Sequence, residues 1–152
     1  MGMRDKPHIM VIDAPFYKDI SAALVKGATE ALDAAGATYE VFQVPGAFEI
    51  PGAIRLALDA RGRDGASRFD GYVALGCVIR GETSHYDYVC GESARGLQEL
   101  AIRDKACIGY GILTVENKTQ AMVRAAGPKS IKGKDAVDAC LAMIALKREF
   151  GG

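Results

Sequence analysis

A chain of 152 residues is the length of one domain, and its 49% hydrophobic content suffices to bury roughly two thirds of the unfolded surface in a core. Nineteen basic side chains balance nineteen acidic ones, so no long-range field draws the chain to nucleic acid or to an anionic lipid surface. Charged residues interrupt every apolar run well short of the ~20 residues that cross a bilayer, and the polar N-terminal stretch carries no apolar secretory segment.

Residues 1–7 are expected to form a flexible extension ahead of one domain over 8–150. Within that domain short β-rich runs alternate with longer helical ones. Residues 8–14 (HIMVIDA) predict a strand, stopped by Pro15. Residues 18–35 predict a helix, with Leu24, Ala28, Ala31 and Ala35 at helical spacing and Gly36 to end it. Residues 39–44 (YEVFQV) predict a second strand, closed by Pro45. Pro51 suits the first turn of a second helix, where its missing N–H has no intrahelical partner. That helix dissolves in the Gly/Arg/Asp stretch 61–67. A third strand is expected over 69–79, and the longest helix over 84–105, with Tyr86, Val89, Cys90, Ala94, Leu97 and Ala101 as its apolar stripe. Residues 107–114 (CIGYGILT) predict the fourth strand. Asn117 and Gln120 are spaced as a capping box for a short helix to Ala126, and a last helix covers 135–150. Its apolar residues nearly encircle the axis, whereas a solvent-facing helix needs one stripe; an association between copies of the chain would cover the rest.

Four alternations of strand and helix predict an α/β layered fold around a mainly parallel sheet. Such sheets bind ligands beyond the carboxyl ends of their strands, and unusual residues collect there: Phe16 after the first strand, 46–49 (GAFE) after the second, 80–85 (RGETSH) after the third and Glu116-Asn117 after the fourth.

Cys77, Cys90, Cys107 and Cys140 contain no C-x-x-C pair and share the chain with two histidines, so no structural zinc site is expected. Thiols in apolar runs read as small buried hydrophobes in a reducing compartment, and a cytoplasmic location is expected. His85 opens the longest helix, and an imidazole is the natural proton shuttle near neutral pH; the plain alternative is a capping residue. Ser84, His85 and Asp87 are too close in sequence to converge as a triad, and no G-x-S-x-G elbow is present. Residues 80–83 (RGET) offer backbone N–H groups, a hydroxyl and a helix start to an anion, against the plain reading of an ordinary connection. Arg124 and Lys132 are candidate cationic partners. Residues 127–134 (GPKSIKGK) place five residues rather than four before G-K and lack the following Ser/Thr, so they are not a nucleotide-binding P-loop. Glu49 stands in an apolar, Gly/Pro-bounded stretch, and Phe16, Phe48 and Tyr110 could stack on a flat heterocycle. From these residues alone the reading is an enzyme acting on a small phosphorylated compound together with a planar ligand.

Three stretches carry a resemblance: 44–51 (VPGAFEIP), 75–89 (LGCVIRGETSHYDYV) and 109–117 (GYGILTVEN) leading to Gln120-Ala and Arg124-Ala. Over about residues 8–150 the sequence resembles the 6,7-dimethyl-8-ribityllumazine synthase family. The resemblance implies a three-layer flavodoxin-like sandwich with a four-stranded parallel sheet flanked by helices. It implies condensation of 5-amino-6-(D-ribitylamino)uracil with 3,4-dihydroxy-2-butanone 4-phosphate in riboflavin biosynthesis, with no metal or redox cofactor. It also implies pentamers whose active sites lie between adjacent subunits, and an association with riboflavin synthase. Carried over by position, Phe16 stacks on the pyrimidine, Ala47, Phe48 and Glu49 belong to the loop holding the ribityl chain, and Cys77, Val78 and Ile79 line the pyrimidine edge. Glu82 and Thr83 bind the ketone phosphate, His85 is the acid/base residue, Tyr110 comes from the neighbouring subunit, Arg124 clamps phosphate and Lys132 is a further site lysine. Tyr17 and Ile131 each stand where an Asn is frequent, and the loop 126–130 lacks the glycine-rich form of cage-forming members, which favours a free pentamer. Two other readings share the pattern: a non-catalytic relative that holds lumazine or flavin, and a flavin mononucleotide redox module.

Overall fold

In the computed structural model, which describes residues 6–127 and 132–152, four parallel strands form one sheet in the order β2-β1-β3-β4. They are β1 (His8–Asp13), β2 (Thr38–Gln43), β3 (Gly71–Ile79) and β4 (Ile108–Val115). The helices between and after them are α1 (Lys18–Ala34), α2 (Ile50–Leu58), α3 (His85–Arg103), α4 (Lys118–Ala126) and α5 (Lys132–Glu149), with a single 3₁₀ turn at Ala47–Glu49. The expected four-stranded parallel sheet flanked by helices is therefore present. Of the expected N-terminal extension, residues 1–5 lie outside the described residues.

Alternation along β1 sorts the core into two layers. Ile9 and Val11 face α1, α4 and α5 with Leu24, Ala28 and Val137, while Met10 and Ile12 face α2 and α3 with Ile54 and Leu97. A sheet buried on both faces demands apolar residues at successive positions, and residues 71–76 of β3 are all buried. Connections leave β1 toward β2 on one side and β3 toward β4 on the other. The carboxyl ends of β1 and β3 thus flank a topological switch point, where a crevice opens.

The α3 stripe differs from the expected one. Val89 and Leu97 are buried as expected, but Ser93 and Leu100 complete the buried face and Ala94 is exposed. Ser93 tolerates burial because its hydroxyl donates to the Cys90 carbonyl at 3.2 Å. At α4, Asn117 Oδ1 accepts the Gln120 N–H at 2.9 Å, whereas Gln120 Oε1 accepts the N–H of Glu116, at 2.8 Å, rather than that of the cap itself. The capping box is thus displaced by one residue.

Helix α5 buries Gly133, Ala136, Val137, Cys140 and Ile144, and leaves Ala139, Ala142, Met143 and Leu146 exposed. Its backbone packs directly on two others. A methyl group at Gly109 of β4 would overlap the Ala136 carbonyl, and one at Gly133 would stand 2.5 Å from the Leu24 carbonyl oxygen of α1. At the opposite end of the sheet from the crevice, the His8 ring lies within hydrogen-bond distance of Thr38 Oγ1 (2.7 Å) and Glu40 Oε2 (2.8 Å). Arg68 pairs with the same Glu40 and lies over the Phe42 and Phe69 rings.

Candidate active site

The crevice is assembled from four strand and helix ends. Beyond β1, Pro15 turns the chain and Phe16 projects with 71% of its surface exposed, its ring edge-on to Tyr17 at 5.0 Å. Beyond β2, the 3₁₀ turn buries Ala47 and presents Phe48 and Glu49 outward. The end of β3 contributes Cys77, Val78 and Ile79, and the first turns of α3 contribute His85 and Val89, four residues apart on one helical face. Together with Tyr17, Pro45 and Gly46 these enclose a cleft of about 330 Å³, within the size of small-molecule sites.

Burial, with a smaller contribution from the Asp19 charge, pushes the Cys77 thiol up to about 11. The thiol stays protonated at neutral pH and serves as an apolar wall rather than as a nucleophile. Three flat aromatic side chains (Phe16, Tyr17 and Phe48), an imidazole and a carboxylate are therefore gathered around an otherwise apolar slot. Such a slot can sandwich a planar ring, grip polar substituents at its edge and move protons.

The loop after β3 is open to solvent from 80 to 85. Arg80 does not turn its charge toward a ligand. Its Nε donates to Glu116 Oε2 at 2.8 Å, its Nη1 lies 3.4 Å from Asp87 Oδ1, and its guanidinium stacks 4.2 Å over the Tyr86 ring. What this loop offers an anion is backbone. Ser84 makes no side-chain capping bond, and Thr83 Oγ1 accepts the His85 N–H at 3.3 Å. With no side-chain cap from Ser84, the start of α3 turns its dipole outward beside Glu82 and Thr83.

Tyr110, Arg124 and Lys132 stand apart from this cleft. Tyr110, on β4, lines a separate groove of about 270 Å³ with Ala94, Leu97 and Gln98 of α3. Lys132 Nζ lies 5.8 Å from its ring centroid. Arg124 extends from the exposed side of α4, where its Nη1 donates to the Gln120 carbonyl at 2.9 Å. The expected site residues therefore fall into two sets within one chain. The expectations about Ile131 and the loop 126–130 bear largely on residues 128–131, which lie outside the described residues.

The family model for 6,7-dimethyl-8-ribityllumazine synthase matches residues 6–148. The chain belongs to that family. It is 52% identical over 147 residues to 6,7-dimethyl-8-ribityllumazine synthase of Agrobacterium fabrum, covering 97% of this chain and 99% of the relative. It is 53% identical over 144 residues to 6,7-dimethyl-8-ribityllumazine synthase 1 of Rhizobium meliloti (95% and 94% covered), and 49% identical over 144 residues to 6,7-dimethyl-8-ribityllumazine synthase of Sphingopyxis alaskensis (95% and 97%). The reaction that comes with lumazine synthase membership is the condensation of 5-amino-6-(D-ribitylamino)uracil with 3,4-dihydroxy-2-butanone 4-phosphate, releasing phosphate and water. Tyr17, Pro45 and Val89 line the cleft without having been expected there, whereas Gly46 belongs to the stretch 46–49 expected beyond the second strand. Val89 was within reach, since it follows His85 by one helical turn; Tyr17 carried no signal beyond standing beside Phe16, where an Asn is frequent.

Proposed function

We propose that the cleft at the ends of β1 and β3 holds the pyrimidine substrate, and that Tyr110, Arg124 and Lys132 of an adjacent copy complete the site. Phe16 stacks on the pyrimidine ring, residues 47–49 hold the ribityl chain and Cys77–Ile79 line the ring edge. The backbone of 81–83 and the start of α3 hold the ketone phosphate, with Arg124 of the neighbour as clamp. The pyrimidine's primary amine attacks the ketone carbonyl, forming the C–N bond of an imine and expelling water. Loss of a carbon-bound proton then breaks the C–O bond to phosphate, which leaves with the bonding electron pair. The resulting enol takes up a proton at its terminal carbon and becomes a ketone; the ribitylamino nitrogen attacks that carbonyl, closing the second ring, and loss of another water gives the lumazine.

His85 on the cleft rim transfers protons in both directions through these steps. Arg124 stabilises the charge on the departing phosphate. Alignment of the two substrates supplies several kcal/mol of the barrier reduction without a covalent enzyme intermediate. Residues 8–150 act as one catalytic unit, assembled as a homopentamer in the cytoplasm and able to associate with riboflavin synthase. Among the described residues no helix is long and apolar enough to cross a membrane.

What supports the shared site is the separation of the two residue sets. The cleft contains His85 but none of Tyr110, Arg124 and Lys132, and a second copy provides them most simply. Complementation tests this directly. His85→Ala and Arg124→Ala chains, each impaired alone, are unfolded and reassembled together in equal amounts. In a ring with randomly placed chains about a quarter of the sites pair an intact His85 with an intact neighbouring Arg124. Activity should rise above the sum of the parents by the corresponding amount. A mixture no more active than its parents would place both residues in a site made by one chain.

A further inference from the structure

Phe16 projects from a segment with little to hold it. Its N–H returns to the Ala14 carbonyl at 2.9 Å across Pro15. Tyr17, at the N-cap of α1, makes no side-chain capping bond. The span is instead closed from beneath. Asp13, the last residue of β1, is 1% exposed, and its Oδ2 accepts a hydrogen bond from Ser21 Oγ of α1 at 2.6 Å. Ser21 is itself buried. Residues 13 and 21 bracket the whole connection that carries Phe16 and Tyr17, so one buried bond ties its two ends together.

Stability alone accounts poorly for this pair. Asp13 occupies the same face of β1 as Ile9 and Val11, against Ile20 and Leu24 of α1, where an apolar residue would avoid the desolvation cost of a carboxyl group. Its second oxygen, Oδ1, is buried without a hydrogen-bond partner; Gln43, opposite in register on β2, approaches the group without completing a bond to that atom. A directional bond does something that apolar packing does not. It sets the distance and angle between the end of β1 and the first turn of α1, and with them the direction in which Phe16 leaves the strand.

We propose that Asp13 and Ser21 are positioning residues that hold Phe16 at the angle needed to stack on the pyrimidine ring. This rests on the assignment of Phe16 as the stacking residue. Asp13 and Ser21 do not line the cleft, so their effect passes through the connection above them. It should therefore fall on one substrate and not on the other.

Steady-state kinetics with each substrate varied in turn test the proposal, alongside thermal melting of every variant. Ser21→Ala and Asp13→Ala should each raise KM for the ribitylaminouracil about tenfold, the scale on which misplacement by a fraction of an ångström acts. KM for the phosphorylated ketone should stay within about twofold of the parent. Asp13→Asn, which keeps an acceptor for Ser21, should recover most of the loss, and Ser21→Ala added to Phe16→Ala should cost nothing further, because both act through one ring. If Ser21→Ala fails to fold, Ser21→Cys takes its place, keeping the volume while weakening the donor. A parallel rise in both KM values, or a lower melting temperature with both KM values unchanged, would assign the pair to general stability and overturn the proposal. Additive losses in the double variant would do the same. Should Phe16→Ala leave the pyrimidine KM unchanged, the stacking assignment itself fails, whatever the Ser21 variants do.

Discussion

In the proposed mechanism His85 carries proton transfer and Arg124 carries charge. Replacing His85 by Ala should lower kcat by about a hundredfold, the common scale of general acid–base assistance. It should leave a rate above the uncatalysed one, because alignment of the substrates survives. Lumazine formation measured against an enzyme-free control decides this, and a variant no faster than buffer would show that His85 does more. As the proposed clamp, Arg124 supplies a charged hydrogen bond to the phosphate, and Arg124→Ala should remove ~1.5–3 kcal/mol. KM for the ketone phosphate should therefore rise about ten- to a hundredfold in steady-state assays, and unchanged ketone kinetics would remove the clamp. The place of His85 in the cleft was legible because it stands beyond a strand end, where polar groups amid apolar runs call for a reason. Arg80 was not. Its partners Asp87 and Glu116 lie 7 and 36 residues further along, and no local pattern shows that its charge is already matched.

Elements were legible where the apolar period is clean and less so where a polar residue is satisfied within its own helix. Residues 8–14, expected as a strand, form β1 (His8–Asp13), and the helix expected over 18–35 is α1 (Lys18–Ala34). Ser93 escaped notice in the buried face of α3 because its hydroxyl bonds one turn back, which hydrophobicity cannot report. The contacts of α5 were also hidden, since a glycine announces no partner. Gly109→Ala should destabilise the fold by about 3 kcal/mol or more, read by denaturant unfolding, because backbone cannot yield as a side-chain end can. Asn117→Ala, which removes the α4 cap, should cost about 1 kcal/mol by the same measurement. The Glu40 cluster sets an acid limit. The hydrogen bond from Arg68, then that from His8, hold the Glu40 carboxyl below its ordinary value of 4.5. The stability this gives is complete above that value and is lost as pH falls through the lower folded one. Glu40→Gln should therefore flatten the acid side of a stability–pH curve. A curve parallel to the parent's would exclude the cluster as the acid-sensitive element.

At the scale of the whole molecule, one chain places the cleft at the switch point of its sheet apart from Tyr110 on β4 and Arg124 on α4, and the proposed site joins the two sets across neighbouring copies. Sedimentation should give a particle about five times the 16.1 kDa chain, and an active single chain would contradict the shared site. The exposed side of α5 was legible as surplus hydrophobicity, whereas what would cover it was not, because complementarity belongs to two molecules and a sequence describes one. The contact of α5 with β4 and α1 has a consequence for inheritance. Any missense change in a glycine codon introduces at least a Cβ. At Gly109 that atom would meet the carbonyl of Ala136, and at Gly133 the carbonyl of Leu24, with no flexible side-chain end between them to move aside. These two codons can drift through synonymous substitutions alone, unless a second change elsewhere first moves the helix away.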